Sequence, residues 1–219
     1  YMSEAGMKPI LCNFGRGSSW RNIAAGRPNF SLPELSDIAN NNLQIFKDLQ
    51  KIKNIDFLPI DYVTFAHDDE TYKALELSMQ WSDAEMITPQ EYTKRISAKF
   101  NPNLKKYKAA LITHNCWQAT PGRVVDLIRQ IGIEKGGIVL EDCKLIDVSK
   151  NGNTYKVLVQ NHEKEYIEYE TPLFVNALGA EADTYAKKLG VETGLFPVKH
   201  QAFITRRLPM LGINGAPLP

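Results

Sequence analysis

Two glycine-containing segments hold the residues with the clearest capacity for chemistry. Residues 17–26 read Gly-Ser-Ser-Trp-Arg-Asn-Ile-Ala-Ala-Gly and combine hydroxyls, an amide, a guanidinium and consecutive backbone N–H groups. Such a set can line an anion or the polar edge of a ring. Gly179 follows the apolar residues 173–176 and precedes a predicted helix, where a glycine permits close backbone approach and the helix N-terminus favours negative charge. Both segments therefore have groups that could bind an anion such as a phosphate.

Both features also have a simpler structural interpretation. Glycines are generic turn formers, so Gly179 alone is equally compatible with an ordinary strand-to-helix turn. Residues 17–26 are also typical of a surface loop, although Trp20 argues for packing because an indole is rarely left free in a loop. The ligand hypothesis therefore depends on the two segments lying together.

The cysteines and histidines do not predict a metal site. Three cysteines are an odd number, and no pair has C-x-x-C spacing. No two histidines have the i, i+4 spacing of a helical metal site. This usage argues against a disulfide framework or a structural zinc and is typical of a reducing compartment, so we predict a cytoplasmic protein. The residues concerned are Cys12, Cys116, Cys143, His67, His114, His162 and His200.

His114 and Cys116 suggest a different chemistry, that of a cysteine hydrolase. Residues two apart on a strand share a face, so an imidazole and a thiol could cooperate there. No nucleophile elbow or oxyanion loop accompanies them. This alternative predicts that iodoacetamide alkylates Cys116 at neutral pH.

Composition and charge exclude several classes of protein. The chain has 219 residues, of which 43% are hydrophobic and 23% are charged, and its formal net charge is +1. These values are typical of a globular protein and give no reason to expect a nucleic-acid partner. No apolar run approaches the roughly 20 residues that a transmembrane helix needs. The length allows one large domain or two small ones.

Helices and strands must alternate to position these residues. Apolar patterns predict strands at 10–12, 57–66, 109–113, 138–148, 155–159, 166–169, 173–176 and 198–205. Helices are predicted over 35–52, after 68–69, after 88–91, from 120–121 to about 135, and over 182–189. Because some strands pair through hairpins, the expected fold is mixed α/β (α+β) rather than a purely parallel sheet.

Local signals predict where several of these elements begin. Ser31 with Glu34 and Thr88 with Glu91 have the spacing of capping boxes, and Asp68 with Asp69 is typical of another helix start. Asn151-Gly152 predicts a two-residue hairpin turn.

Taken in order, segments 17–26, 118–125, 136–148 and 174–180 with 196–201 resemble the D-amino-acid oxidase, glycine oxidase and sarcosine oxidase family of flavoproteins. The first is similar to the family's Ser-x-x-Asn-x-Gly loop and the second to its proline-initiated helix. The third is similar to its Gly-Ala strand that ends in Val-x-x-Ile. The last pair is similar to its Asn-Ala-x-Gly strand end and the Pro-x-x-x-Gln strand behind it.

The resemblance implies a truncated FAD-binding domain and an antiparallel-sheet substrate domain. We expect residues 1–40 and 118–192 in the first, and residues 41–117 and 193–219 in the second. It implies that FAD contacts Ser18, Ser19, Arg21, Asn22, Gly26, Leu145, Ala177 and Gly179. At the position of Leu145 the family's strand backbone binds the adenine, and this residue would also belong to the core.

The resemblance also implies the reaction, which is oxidation of the C–N bond of an amino acid or secondary amine by hydride transfer to flavin. An arginine usually clamps the substrate carboxylate, and the candidates are Arg21, Arg206 and Arg207. Arg206 and Arg207 are more typical of a solvated face. His200 is a candidate at the back of the substrate pocket, although a strand histidine is more often simply packed. No metal is implied.

Several departures from the family pattern carry expectations of their own. The G-x-G-x-x-G unit and the C-terminal part are missing, so we expect a fragment that binds FAD weakly or not at all. Asn13 stands where an acidic residue would hold the ribose, and Glu181 where many members carry Trp.

Two alternatives to this reaction stay open. Either the chain is a flavin-free fragment or subunit that acts as an interaction module, or it is a family member that oxidises a 2-hydroxy acid or glycerol phosphate. A homo-oligomer or a partner chain would cover surface left by missing strands. A peripheral membrane electron acceptor is compatible with each enzyme hypothesis.

Overall fold

The computed structural model describes residues 2–3, 5–13, 17–95 and 106–201, which form two compact units. Unit 1 takes its described residues from Tyr1–Asn22 and Val125–Ala202, and unit 2 takes them from Ile23–Val124. The chain therefore passes from unit 1 to unit 2 and returns. The assignment of FAD to residues 1–40 and 118–192, and of substrate to residues 41–117 and 193–219, stays a prediction.

Unit 1 contains a parallel strand pair and an antiparallel sheet. Strand β1 (Ile10–Asn13) pairs in parallel with β6 (Ile138–Glu141). Strands β7 (Lys144–Asn151), β8 (Thr154–Gln160) and β9 (Tyr166–Thr171) form a three-stranded sheet in that order. Helix α4 (Pro121–Glu134) precedes β6, and α5 (Ala182–Lys188) follows the sheet.

The core of unit 1 lies between this sheet and α5. Tyr185 of α5 is buried, and its hydroxyl donates to the carbonyl of Leu145 on β7 at 2.8 Å. The Lys188 ammonium meets the Asp147 carboxylate at 2.5 Å and lowers the pKa of that carboxyl. The buried members of the core are Cys143, Leu145, Val148, Val157, Val159 and Tyr185.

Unit 2 is built around one long central strand. Strand β5 (Ala109–Gln118) pairs with β3 (Leu58–Ala66) along one side and with β2 (Ala25–Gly26) and β4 (Ala84–Ile87) along the other, all antiparallel. Its first five residues are buried, which explains its central position. The helices of this unit are α1 (Pro33–Ile52), α2 (Asp69–Ser78) and α3 (Pro89–Arg95).

Two of the three predicted helix starts are confirmed, and one is wrong. The Asp68 carboxylate accepts from the Thr71 N–H at 2.8 Å, and Thr88 and Glu91 exchange hydrogen bonds of 2.8 and 3.2 Å. Ser31 does not cap α1, because the helix begins one residue later than a capping box requires. Pro33 takes the first helical position, for which its φ is already suited.

Four predicted strands need correction. Strand β5 continues beyond residue 113 to Gln118, because its pairing with β3 passes through a bulge. The predicted strand 138–148 is two strands, since Asp142 adopts a left-handed φ of 49° and separates β6 from β7. Residues 173–176 are not a strand, because no described strand pairs with them. Residues 198–201 are irregular and exposed, and 202–205 lie outside the described residues.

The predicted hairpin is confirmed, with a shift of one residue in its turn. Asn151 pairs with Thr154, so the two loop residues are Gly152 and Asn153. Gly152 has a φ of 60°, which a glycine at the first loop position adopts without strain. Of the helices that the structure describes, none combines the length and the apolar character needed to cross a membrane.

Candidate functional site

The polar loop singled out in the sequence forms an exposed turn of unit 1. Ser18–Trp20 is one turn of 3₁₀ helix, and the Arg21 N–H donates to the Ser18 carbonyl at 3.1 Å. The Asn22 amide donates to the Ser19 carbonyl at 2.8 Å, so this side chain holds the turn together. The Ser18 and Ser19 hydroxyls and the Arg21 guanidinium make no hydrogen bond to another described residue. These exposed groups are therefore available to a polar ligand.

Gly179 lies at the start of a second exposed turn of unit 1. It has a φ of +57° and opens the 3₁₀ turn Gly179–Glu181, which leads into α5. A Cβ placed at this glycine would meet no atom within 4 Å. The backbone conformation rather than crowding within the chain therefore requires glycine, and space is open beside it.

Asn176 organises the backbone before Gly179. Its amide donates to the Ala182 carbonyl at 2.8 Å, and its side-chain oxygen accepts from the Leu178 N–H at 3.3 Å. Ala177 lies exposed between these two contacts. In the sequence Asn176 was only part of a motif and had no predicted role, although an asparagine that precedes a turn is a recognised signal for such bonding.

Leu145 contributes to the core as expected. Its side chain is 8% exposed, and it pairs with Val159 in the sheet. Its carbonyl already accepts the Tyr185 hydroxyl. The binding of adenine by this part of the backbone stays a prediction. The adenine would bind to other backbone groups or to the second lone pair of the Leu145 carbonyl oxygen.

Gly26 belongs to unit 2, and packing explains why it is a glycine. A Cβ at this position would lie 2.2 Å from Cε2 of Trp117, the residue opposite it in the sheet. The Trp117 ring also contacts Phe46, with 5.6 Å between ring centroids. The glycine therefore makes room for an indole, and its proposed contact with FAD stays a prediction.

A polar cluster that sequence reasoning missed lies at the ends of the parallel strands. Asn13 ends β1 and pairs in register with Glu141, which ends β6. The Asn13 amide donates to the Glu141 carboxylate at 2.9 Å, and Arg129 of α4 forms an ion pair with the same carboxylate. Ligands of α/β sheets bind at the carboxyl ends of parallel strands. Glu141 thus places an acidic group beside the position where Asn13 lacks one.

The structure does not favour the cysteine-hydrolase alternative. Asn115 has a φ of 58°, which breaks the alternation of β5, so His114 and Cys116 do not follow a regular two-residue repeat. The His114 ring contacts the Asp61 carboxylate at 3.0 Å, whereas the Cys116 thiol donates to the Thr113 carbonyl. Burial raises the pKa of Cys116 to about 12, so the thiol is not a ready nucleophile at neutral pH.

The substrate-side candidates of the C-terminal segment are His200, Arg206 and Arg207. His200 lies in an irregular, exposed segment and not on a strand. Arg206 and Arg207 lie outside the described residues. Within the described part of the chain, no three residues of the metal-binding types are grouped as ligands.

Residues 12–219 match the sequence model of the family described as DAO, FAD dependent oxidoreductase. The chain belongs to this family of FAD-dependent oxidoreductases. The match spans both units and confirms the resemblance seen in the sequence. No curated protein matches the chain at a significant level.

Solved structures of other proteins share the fold of this chain. L-proline dehydrogenase from P. horikoshii has a TM-score of 0.73 and 19% identity, with 88% of this chain and 52% of that chain covered. Glycine oxidase from Geobacillus kaustophilus has a TM-score of 0.71 and 12% identity over 90% and 55%. L-α-glycerophosphate oxidase from Mycoplasma pneumoniae, with FAD bound, has a TM-score of 0.58 and 15% identity over 86% and 53%. The chain thus spans about half the length of these proteins.

FAD is the cofactor of this family, and the residues of unit 1 fit part of such a ligand. Exposed hydroxyls and a guanidinium in the turn at Ser18–Arg21 suit its polar and anionic groups. The open space beside Gly179 suits close approach of a ring or a phosphate. Gly26 does not offer such a space, because Trp117 fills it.

Proposed function

We propose that this chain is part of an enzyme that oxidises the C–N bond of an amino acid or a secondary amine. The match of residues 12–219 to the family is the observation that carries the proposal. The shared fold with L-proline dehydrogenase and glycine oxidase supports an amino-acid substrate. Bound FAD would accept the hydride that leaves the carbon next to nitrogen.

The chain's own residues would bind and orient the cofactor. Ser18, Ser19, Arg21 and Asn22 would hold its polar groups, and the backbone around Gly179 would allow close approach. This proposal requires that the two turns face the same cleft, which stays a prediction.

The ribose end would use the polar cluster of the parallel strands. We propose that the Glu141 carboxylate, held by Asn13 and Arg129, accepts hydrogen bonds from ribose hydroxyls. This replaces the acidic residue that the family pattern places at position 13. Carboxylate acceptors recognise a ribose diol at this edge of α/β sheets.

The substrate carboxylate would be bound by an arginine, for which Arg21, Arg206 and Arg207 remain the candidates. A guanidinium offers two parallel N–H groups to a carboxylate. His200 is retained only as a proposed neighbour of the substrate. The cytoplasmic location and a peripheral membrane electron acceptor are likewise proposals.

Flavin binding and reduction test the proposal directly. The purified chain is mixed with FAD, desalted and examined for the visible absorption of protein-bound oxidised flavin. Anaerobic addition of L-proline, glycine, sarcosine or other amino acids should then bleach that absorption. A chain that retains no FAD would favour the alternative of a flavin-free interaction module.

A second candidate reaction is oxidation of a C–O bond. The fold similarity to a glycerophosphate oxidase supports it. Glycerol 3-phosphate and 2-hydroxy acids belong in the same anaerobic assay. Bleaching by these compounds, with none by amines, would replace the amino-acid proposal.

A further inference from the structure

Two cysteines of unit 1 lie side by side although they are far apart in the sequence. Cys12 is in β1, and Cys143 lies between β6 and β7. The Cys143 N–H donates to the carbonyl of Asn13 at 3.0 Å, which extends the pairing of β1 beyond the end of β6. This bond holds Cys143 next to the neighbour of Cys12.

The two side chains belong to the same hydrophobic core, and both cysteines are free. Cys143 also contributes to the raised pKa of the Cys12 thiol, as a neighbouring thiol does. Cys143 is 3% exposed within the core of unit 1, whereas Cys12 packs against the same core and remains partly exposed. A small reagent can therefore reach Cys12, and Cys143 is positioned to react with the product.

We propose that Cys12 and Cys143 form a thiol–disulfide exchange site that takes a low-molecular-weight disulfide and ends as an intramolecular disulfide. The Cys12 thiolate attacks one sulfur of the small disulfide, whose S–S bond breaks. One small thiolate leaves and is protonated, and Cys12 becomes a mixed disulfide. The Cys143 thiolate then attacks the Cys12 sulfur and displaces the second small thiol. The two cysteines are oxidised by two electrons, and the small disulfide is reduced to two thiols.

The local environment makes this exchange slow. Burial, and to a lesser extent the neighbouring Cys143, raise the pKa of the Cys12 thiol to about 12. Only a small fraction is thiolate at neutral pH, and the thiolate is the attacking species. The pair therefore stays reduced during brief exposure and becomes linked during prolonged exposure.

Cys116 in unit 2 provides a matched control within the same chain. It is 1% exposed, and burial also raises its pKa to about 12. Its thiol donates to the Thr113 carbonyl, and the other two cysteines of the chain belong to unit 1. Cys116 is therefore as buried as Cys143 but belongs to the other unit.

The full-length chain is incubated with glutathione disulfide, and the remaining thiols are alkylated in denaturant before peptide mass spectrometry. We expect a cross-linked pair of peptides containing Cys12 and Cys143, with Cys116 alkylated. The Cys143→Ser variant should accumulate glutathione on Cys12, and Cys116→Ser should form the link as the wild type does. A folded wild type whose Cys12 and Cys143 are still alkylated after prolonged treatment, while the denatured chain is oxidised, overturns the proposal. A link that joins either cysteine to Cys116 overturns it as well.

Discussion

At the scale of single residues, two glycines illustrate opposite reasons for the same residue type. Gly179 has open space around it and a left-handed φ, whereas Gly26 has a Trp117 ring where its Cβ would be. A sequence pattern assigned both to FAD. Only the three-dimensional surroundings show that Gly26 makes room for the Trp117 side chain, whereas Gly179 leaves space for a ligand.

Replacing Gly26 by alanine should destabilise the protein. The new methyl would overlap the Trp117 ring, and overpacking of this kind typically costs about 1–3 kcal/mol. Urea unfolding measures the loss. Gly132→Ala is the control, because a Cβ in that helical position meets nothing within 4 Å. This variant should raise the free energy of unfolding by at most about 1 kcal/mol, since alanine favours a helix more than glycine does. Equal losses in both variants would contradict the packing explanation.

Glu141→Gln should weaken FAD binding without unfolding the protein. The change removes a charged acceptor that lies exposed beside Asn13, and a hydrogen bond to a charged group is worth on the order of tenfold in affinity. Quenching of FAD fluorescence measures the affinity. Glu76→Gln on α2 of unit 2 serves as a control, because it removes the same charge from an exposed position elsewhere. Unchanged affinity in Glu141→Gln would remove this residue from the proposed ribose site.

At the scale of elements, the helix starts show how far local signals extend. Asp68 and Thr88 cap their helices as predicted, because a capping box involves residues only three apart. Ser31 has the same pattern, but the helix begins one residue later, at Pro33. The fixed φ of proline favours the first helical position, and here it determines where the helix begins.

The Asp68 cap should make the stability of unit 2 dependent on acid pH. Hydrogen bonds from Thr71 lower the pKa of Asp68 below its unfolded value of about 3.9. The contribution of the carboxylate is therefore complete above that value and is lost as the pH falls through the lower folded pKa. Asp68→Ala should reduce the midpoint of urea unfolding at pH 7, and its difference from wild type should shrink toward pH 2. Asp68→Asn, which can still cap, should lose less at pH 7. A difference that does not change with pH would exclude the charged cap.

At the scale of the whole molecule, the chain forms two units and spans about half the length of the structures it resembles. Large apolar side chains are exposed in unit 1, including Leu173 at 52% and Val175 at 58%. Exposed apolar surface of this kind favours association. A homo-oligomer or a partner chain at this surface stays a prediction.

Replacing Leu173 and Val175 by threonine should therefore reduce self-association. The double variant removes apolar surface that two copies would otherwise bury, and it should weaken association by on the order of tenfold. Sedimentation velocity over a range of concentrations measures this. Leu77→Thr on α2, where the side chain is 49% exposed, is the matched control. An equal effect of the control would show that general exposure, rather than this segment, drives association.

The sequence by itself determined the family, the mixed α/β class, the hairpin at Gly152 and most helices. These features depend on periodicity and on bonds between residues a few positions apart. Tertiary structure decided that residues 173–176 are not a strand, that β5 reaches Gln118, and that Glu141 and Cys143 lie beside β1. A strand exists only with a partner, and a site exists only where distant segments meet. The spacing of nearby residues in the sequence determines neither the partner of a strand nor the assembly of a site.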